Sequence, residues 1–85
     1  MRIRRTADLD RAYAAAPRAV QRSLEQRLVF LAQNFRHPSI RSKPWPPHGP
    51  DCYQANLTQG WRFYYQRQGD EAVVYWMQKH PKKGG

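Results

Sequence analysis

Cysteine occurs once in the chain, at Cys52, so an internal disulfide is excluded and a reducing compartment is expected. Acidic residues are scarce: six Asp and Glu stand against fifteen Lys and Arg, giving a net charge of +9. With a pI near 10.5, the chain calls for an anionic partner, nucleic acid first among them. No apolar run is long enough to span a bilayer, so no membrane partner is expected. The basic residues near Met1 are not followed by the apolar stretch of a secretory signal, and a cytoplasmic location is the expectation. Repeats, low-complexity tracts and a Gly-rich phosphate loop are all missing. His37, His48, His80 and Cys52 lack the paired spacing of a zinc site, and neither a metal nor a cofactor is expected. A nucleophile elbow is absent too, and Asp51, Asp70 and Glu71 lie near turns, which suits them poorly to paired-carboxylate chemistry.

What is present suits one small folded domain over residues 1–85, with residues 79–85 forming a basic tail whose end is expected to be flexible. Hydrophobic residues make up 40% and aromatics 13%, enough for a core despite the charge. Residues 2–5 read as a short basic edge strand. Thr6 is placed to cap a helix over residues 7–15, with Asp8 in its first turn and Leu9, Tyr13 and Ala16 on one face. A second helix is predicted over residues 17–34, opening on Pro17, with Val20, Leu24, Leu28, Leu31 and Phe35 as a core stripe. Residues 36–50 hold five of the seven prolines and no acid; helix is excluded there and a stiff extended connection is expected. In it, Trp45 is expected to anchor the segment and His37 to cap the end of the long helix, while His48 receives no role.

An antiparallel meander is predicted over residues 52–58, 61–67 and 72–79. Alternation puts Trp61, Phe63 and Tyr65 on the core face of its middle strand, and Arg62, Tyr64 and Gln66 on the other. In the last strand the same rule assigns Val73, Tyr75 and Met77 to the core, and Val74, Trp76, Gln78 and His80 to the opposite face. A charge at the centre of a central strand must meet water, a partner or a ligand, because burying it unpaired costs several kcal/mol. Arg62 could pair with Asp51 or Glu71. It could equally join Tyr64, Trp76 and His80 in a site for a phosphodiester and a base. Histidine acid–base chemistry beside cations suits RNA, whose 2′-hydroxyl is a built-in nucleophile.

An α+β layout of one short strand, a helical hairpin and a three-stranded meander resembles the RelE/ParE superfamily of bacterial toxins, in particular its RelE-like ribonuclease branch. The resemblance runs over nearly the whole chain. Its most specific parts are residues 37–43, the Trp61, Arg62, Phe63, Tyr64, Tyr65 run, Gly69 with Asp70, and His80, Pro81 and Lys82. It implies a type II toxin, a metal-independent endoribonuclease (mRNA interferase) that cleaves mRNA at the ribosome by 2′-hydroxyl attack and inhibits translation. Arg62 would contact the scissile phosphate and His80 would transfer a proton. Arg41 and Lys43 would bind RNA, with Lys79, Lys82 and Lys83 adding backbone contacts and Tyr64 or Trp76 stacking on a base. It also implies an acidic antitoxin partner, the chain being a monomer alone and part of a hetero-oligomer with that antitoxin. Two departures accompany it: Pro81 stands where several members carry an aromatic, and Gln54, Ala55 and Asn56 stand where some carry a catalytic carboxylate. The general base is therefore unassigned, and a non-catalytic toxin like the gyrase-directed ParE branch, or a basic binding module, is the alternative.

Overall fold

The computed structural model describes residues 1–58 and 60–79. Its elements are β1 (Arg2–Arg5), α1 (Ala7–Ala15), α2 (Arg18–Gln33), β2 (Lys43–Pro44), β3 (Cys52–Asn56), β4 (Trp61–Gln68) and β5 (Glu71–Lys79). Thr6 caps α1 as expected, its Oγ1 accepting from the Leu9 N–H at 3.1 Å. Pro17 is the cap of α2 rather than its first residue, its carbonyl accepting from Val20 and Gln21. The connection between α2 and β3 is more structured than the prolines suggest. It holds two single-turn 3-10 helices, Pro38–Ile40 and Pro46–His48, each opened by proline, and between them the edge strand β2. His37 caps the first of these turns, its Nδ1 accepting from the Ser39 N–H at 3.1 Å, instead of closing α2.

The five strands form one mixed sheet in the order β1-β5-β4-β3-β2. β1 runs parallel to β5 and the other neighbours are antiparallel. At the two-residue turn between β4 and β5, Gly69 takes φ +63°, a conformation in which a side chain would be strained. Both helices cover one face of the sheet. Val20, Leu24, Leu28 and Leu31 of α2 and Leu9 of α1 pack on Ala55, Leu57, Phe63, Tyr65, Ala72, Val74 and Met77, with Phe35 partly buried against them. The period of four and three in α2 is thus the core stripe, a band wide enough to close one sheet face.

The last strand departs from strict alternation. Tyr64 pairs with Trp76 but Tyr65 pairs with Val74, so Tyr75 is an extra residue in β5. This bulge reverses the expected facing of its first half: Ala72 and Val74 enter the core, while Tyr75 turns to the open face. From Trp76 onward the expected facing holds, with Met77 in the core.

Tyr65 fastens the connection to the sheet. It is 0% exposed, and its hydroxyl meets Ser42 Oγ at 2.6 Å and donates to the Phe35 carbonyl. Burial pushes its pKa from the ordinary 10.0 up to about 12. The neutral phenol is therefore favoured more in the folded than in the unfolded chain. Its contribution is complete below pH 10 and is lost as the pH rises toward 12. Stability measured by denaturant unfolding should fall across that window, and Tyr65→Phe should flatten the fall while lowering stability at neutral pH by about 1–3 kcal/mol, since the Ser42 and Phe35 groups lose their partner.

Candidate functional site

The face of the sheet away from the helices carries the residues singled out by type. Register groups them in rows across the strands. Asn56, Arg62 and Gln78 form one row; Lys43, Gln54, Tyr64 and Trp76 form the next, because directly paired residues share a face.

Arg62 is half-buried in the sheet, and its one side-chain hydrogen bond is a long contact of 3.4 Å to the Trp61 carbonyl. Neither proposed acid neutralises it. Glu71 is held by Arg4 at 3.1 Å, and Asp51 stands before β3, at the opposite end of that strand from Asn56, the partner of Arg62. Five of the six acids, Asp8, Asp10, Glu25, Asp70 and Glu71, pair with arginines of β1 and α1. These exposed pairs add little stability, but they gather the negative charge around the β1 edge. Among the described residues, Arg41, Lys43 and Arg62 have no acid within ion-pair distance. Unpaired positive charge therefore lies on the open face at β2 to β4, as it does on α2 at Arg18, Arg22 and Arg27.

The other expected site residues fall as follows. Lys43 is exposed on β2, in line with Gln54 and Tyr64. Arg41 is exposed two residues earlier, closing the first 3-10 turn with φ +49°. Trp76 is 39% exposed, its indole N–H donating to Gln78 Oε1 at 3.0 Å. Tyr64 is corrected as a stacking surface: it is 4% exposed, with Trp45 and Tyr75 against its ring at 5.5 and 6.3 Å. Its hydroxyl instead receives hydrogen bonds from Gln54 at 3.2 Å and Gln78 at 3.4 Å, tying β3, β4 and β5 together. Lys79, expected among the RNA backbone contacts, lies one residue beyond Gln78 at the end of β5. It pairs with Trp61, whose ring packs on the helix side, so Lys79 leaves the sheet on that side as well. His80, Lys82 and Lys83 lie outside the described residues.

His48, which had no role from sequence, stacks on Tyr75 with ring centroids 3.9 Å apart and planes 13° from parallel. Its signal was present but indirect: a histidine three residues after Trp45, in an acid-free segment. Trp45 anchors that segment as expected, its ring packed on Tyr64 and its backbone N–H donating to the Cys52 carbonyl at 2.8 Å. Cys52 is buried, and burial pushes its thiol pKa up, away from the thiolate that a nucleophile needs. The Tyr75 phenol is pushed up by burial as well, so it stays neutral near pH 7, and its hydroxyl has no hydrogen-bond partner among the described residues. No group of three or more His, Cys, Asp or Glu that could hold a metal occurs among the described residues. The chemistry on offer is charge stabilisation by a guanidinium beside an aromatic surface.

No family model and no curated protein matches the chain. Solved structures do. A chain of the intact E. coli RelBE toxin-antitoxin complex superposes with a TM-score of 0.77 at 20% identity, over 95% of this chain and 98% of that one. The isolated E. coli RelE toxin gives 0.75 at 19% identity, over 96% and 86%. The YoeB/ParE toxin from Agrobacterium tumefaciens gives 0.77 at 13% identity, over 95% and 100%. At such identities the likeness is one of fold: this chain has the fold seen in the E. coli RelE and A. tumefaciens YoeB/ParE structures.

Proposed function

We propose that this chain is the toxin of a toxin–antitoxin pair, an endoribonuclease that cuts mRNA by attack of the ribose 2′-hydroxyl on the adjacent phosphate. The observation that carries this reading is Arg62: a half-buried cation near the end of the central strand β4, on the sheet face away from the helices, with no acid beside it among the described residues. A guanidinium in that setting matches two oxygens of a phosphate and opposes the charge that grows on them in the transition state. Arg41 and Lys43, exposed beyond β3, would position the RNA backbone. His80 follows Gln78 by two residues in the sequence and is proposed as the proton-transfer group on the strength of its type.

A partner follows from the same face. A chain of this fold occurs in the E. coli RelBE toxin-antitoxin complex, and a +9 chain whose open sheet face carries Arg62, Lys43 and the exposed Trp76 suits an acidic segment that folds across it. The ribosome is proposed as the place where mRNA is met. The purified protein, incubated with translating and with naked mRNA and followed by mapping of the ends, tests the reading: new ends are expected. Salt-sensitive binding with no ends in either sample would favour a non-catalytic toxin or binding module instead.

A further inference from the structure

One proton on the open face has no acceptor. The Tyr64 hydroxyl receives the Gln54 amide N–H at 3.2 Å and the Gln78 amide N–H at 3.4 Å. Chemistry sets the direction of the second bond: the Trp76 indole N–H only donates and lies 3.0 Å from Gln78 Oε1, which leaves the Gln78 amide N–H groups for Tyr64. A hydroxyl has two lone pairs and one proton. With both lone pairs taken, the proton is left over, and among the described residues nothing accepts it. Tyr64 is 4% exposed, and polar groups so enclosed are as a rule satisfied. Its remaining opening is on the open face, where Tyr64 and Gln78 line a groove of about 330 Å³.

Arg62 precedes Tyr64 by two residues on β4 and shares its face, so their Cα atoms stand about 6.6 Å apart. Gln78, the β5 partner of Arg62, is the residue whose amide reaches the Tyr64 hydroxyl, which places that hydroxyl beside the Arg62 row. A phosphate with one hydrogen bond of about 2.8 Å on each side spans such a gap. We infer that the Tyr64 hydroxyl donates to a nonbridging oxygen of the phosphate held by Arg62, as a second and uncharged ligand that sets which way the phosphate faces. A hydroxyl that accepts two N–H bonds is polarised toward giving its own proton, which strengthens the donation. The group is also held from both neighbouring strands, so it needs no rearrangement when a phosphate arrives. Arg62, with its single long hydrogen bond, supplies charge but does not by itself distinguish one nonbridging oxygen from the other. The inference rests on the proposed ribonuclease reading for the presence of a phosphate at Arg62.

The test is a binding titration of wild type and Tyr64→Phe with short RNA oligomers, blocked against cleavage by 2′-deoxyribose and carrying one phosphorothioate of defined handedness, moved along the strand. Sulfur accepts hydrogen bonds poorly, so it reports which oxygen a donor touches. At one position and in one handedness, the wild type should lose about 10-fold more affinity than Tyr64→Phe does, the scale of one hydrogen bond to a charged group. In the opposite handedness the two proteins should lose alike. Each loss is a ratio of two RNAs on one protein, so a lower stability of the variant, read by a thermal melt, cancels from it. Gln78→Ala, at an exposed residue, keeps the hydroxyl but removes one of the two amides that hold it, and should give an intermediate loss. Equal losses in wild type and Tyr64→Phe, at every position and in both hands, overturn the assignment and leave the hydroxyl as a tie between strands. The ribonuclease reading fails separately. A handed loss that depends on Tyr64, without cutting of ordinary RNA, keeps the phosphate ligand and removes the nuclease, whereas cutting with equal losses removes only the ligand.

Discussion

Arg62→Ala should lower RNA cleavage about 100-fold or more while the protein stays folded, the scale of losing one preorganised charge-stabilising group. The expectation of an intact fold comes from its surroundings. Arg62 makes no ion pair among the described residues, and its single long hydrogen bond is to a neighbouring carbonyl, so truncation leaves no buried group without a partner. Arg62→Lys should restore only part of the rate, because an ammonium is a point charge and cannot span two phosphate oxygens. Single-turnover cleavage together with a thermal melt separates the two effects. A variant that melts as the wild type does and cuts as fast would remove Arg62 from the chemistry.

His80→Ala should lower cleavage by a factor on the order of 100 to 10,000, as loss of a general acid or base does. Imidazole exchanges protons near neutrality, with a reference pKa of about 6.5, and no other side chain type proposed for this site does so. The discriminating readout is the pH profile. In the wild type, one limb of the rate against pH should report a group in the histidine range; in His80→Ala that limb should vanish while RNA affinity stays near its original value. Loss of affinity in step with rate would make His80 a binding cation and leave proton transfer to another group.

The parts of the fold that sequence revealed are those where a single period governs burial. The stripe from Val20 to Leu31 needs only helical spacing, and the facing of Phe63, Tyr64 and Tyr65 needs only alternation. The first half of β5 departs from the expected facing because Val73, Val74 and Tyr75 are all apolar, so nothing in their types marks where a bulge adds a residue. The 3-10 turns and β2 are not marked by the prolines for a different reason: proline forbids continued helix but opens a single turn well. For the site, alternation placed Arg62 and Tyr64 on the correct face but could not tell their exposure. Tyr64 is covered by Trp45, a residue 19 positions earlier whose approach depends on how the proline segment folds back. The stacking of His48 on Tyr75 is likewise a meeting of distant segments, and no local pattern announces it.

One measurement bears most directly on the proposed chemistry. An RNA cut by the protein is remade with a single 2′-deoxyribose at the mapped cut site, every other nucleotide unchanged, and offered to the wild-type protein under the same conditions, with translating ribosomes present if cutting needs them. With the 2′-hydroxyl as nucleophile and Arg62 stabilising the phosphate it attacks, cutting at that position should cease while binding persists. Efficient cutting of the substituted RNA at the same position would contradict attack by the 2′-hydroxyl, and with it the roles proposed for Arg62 and His80.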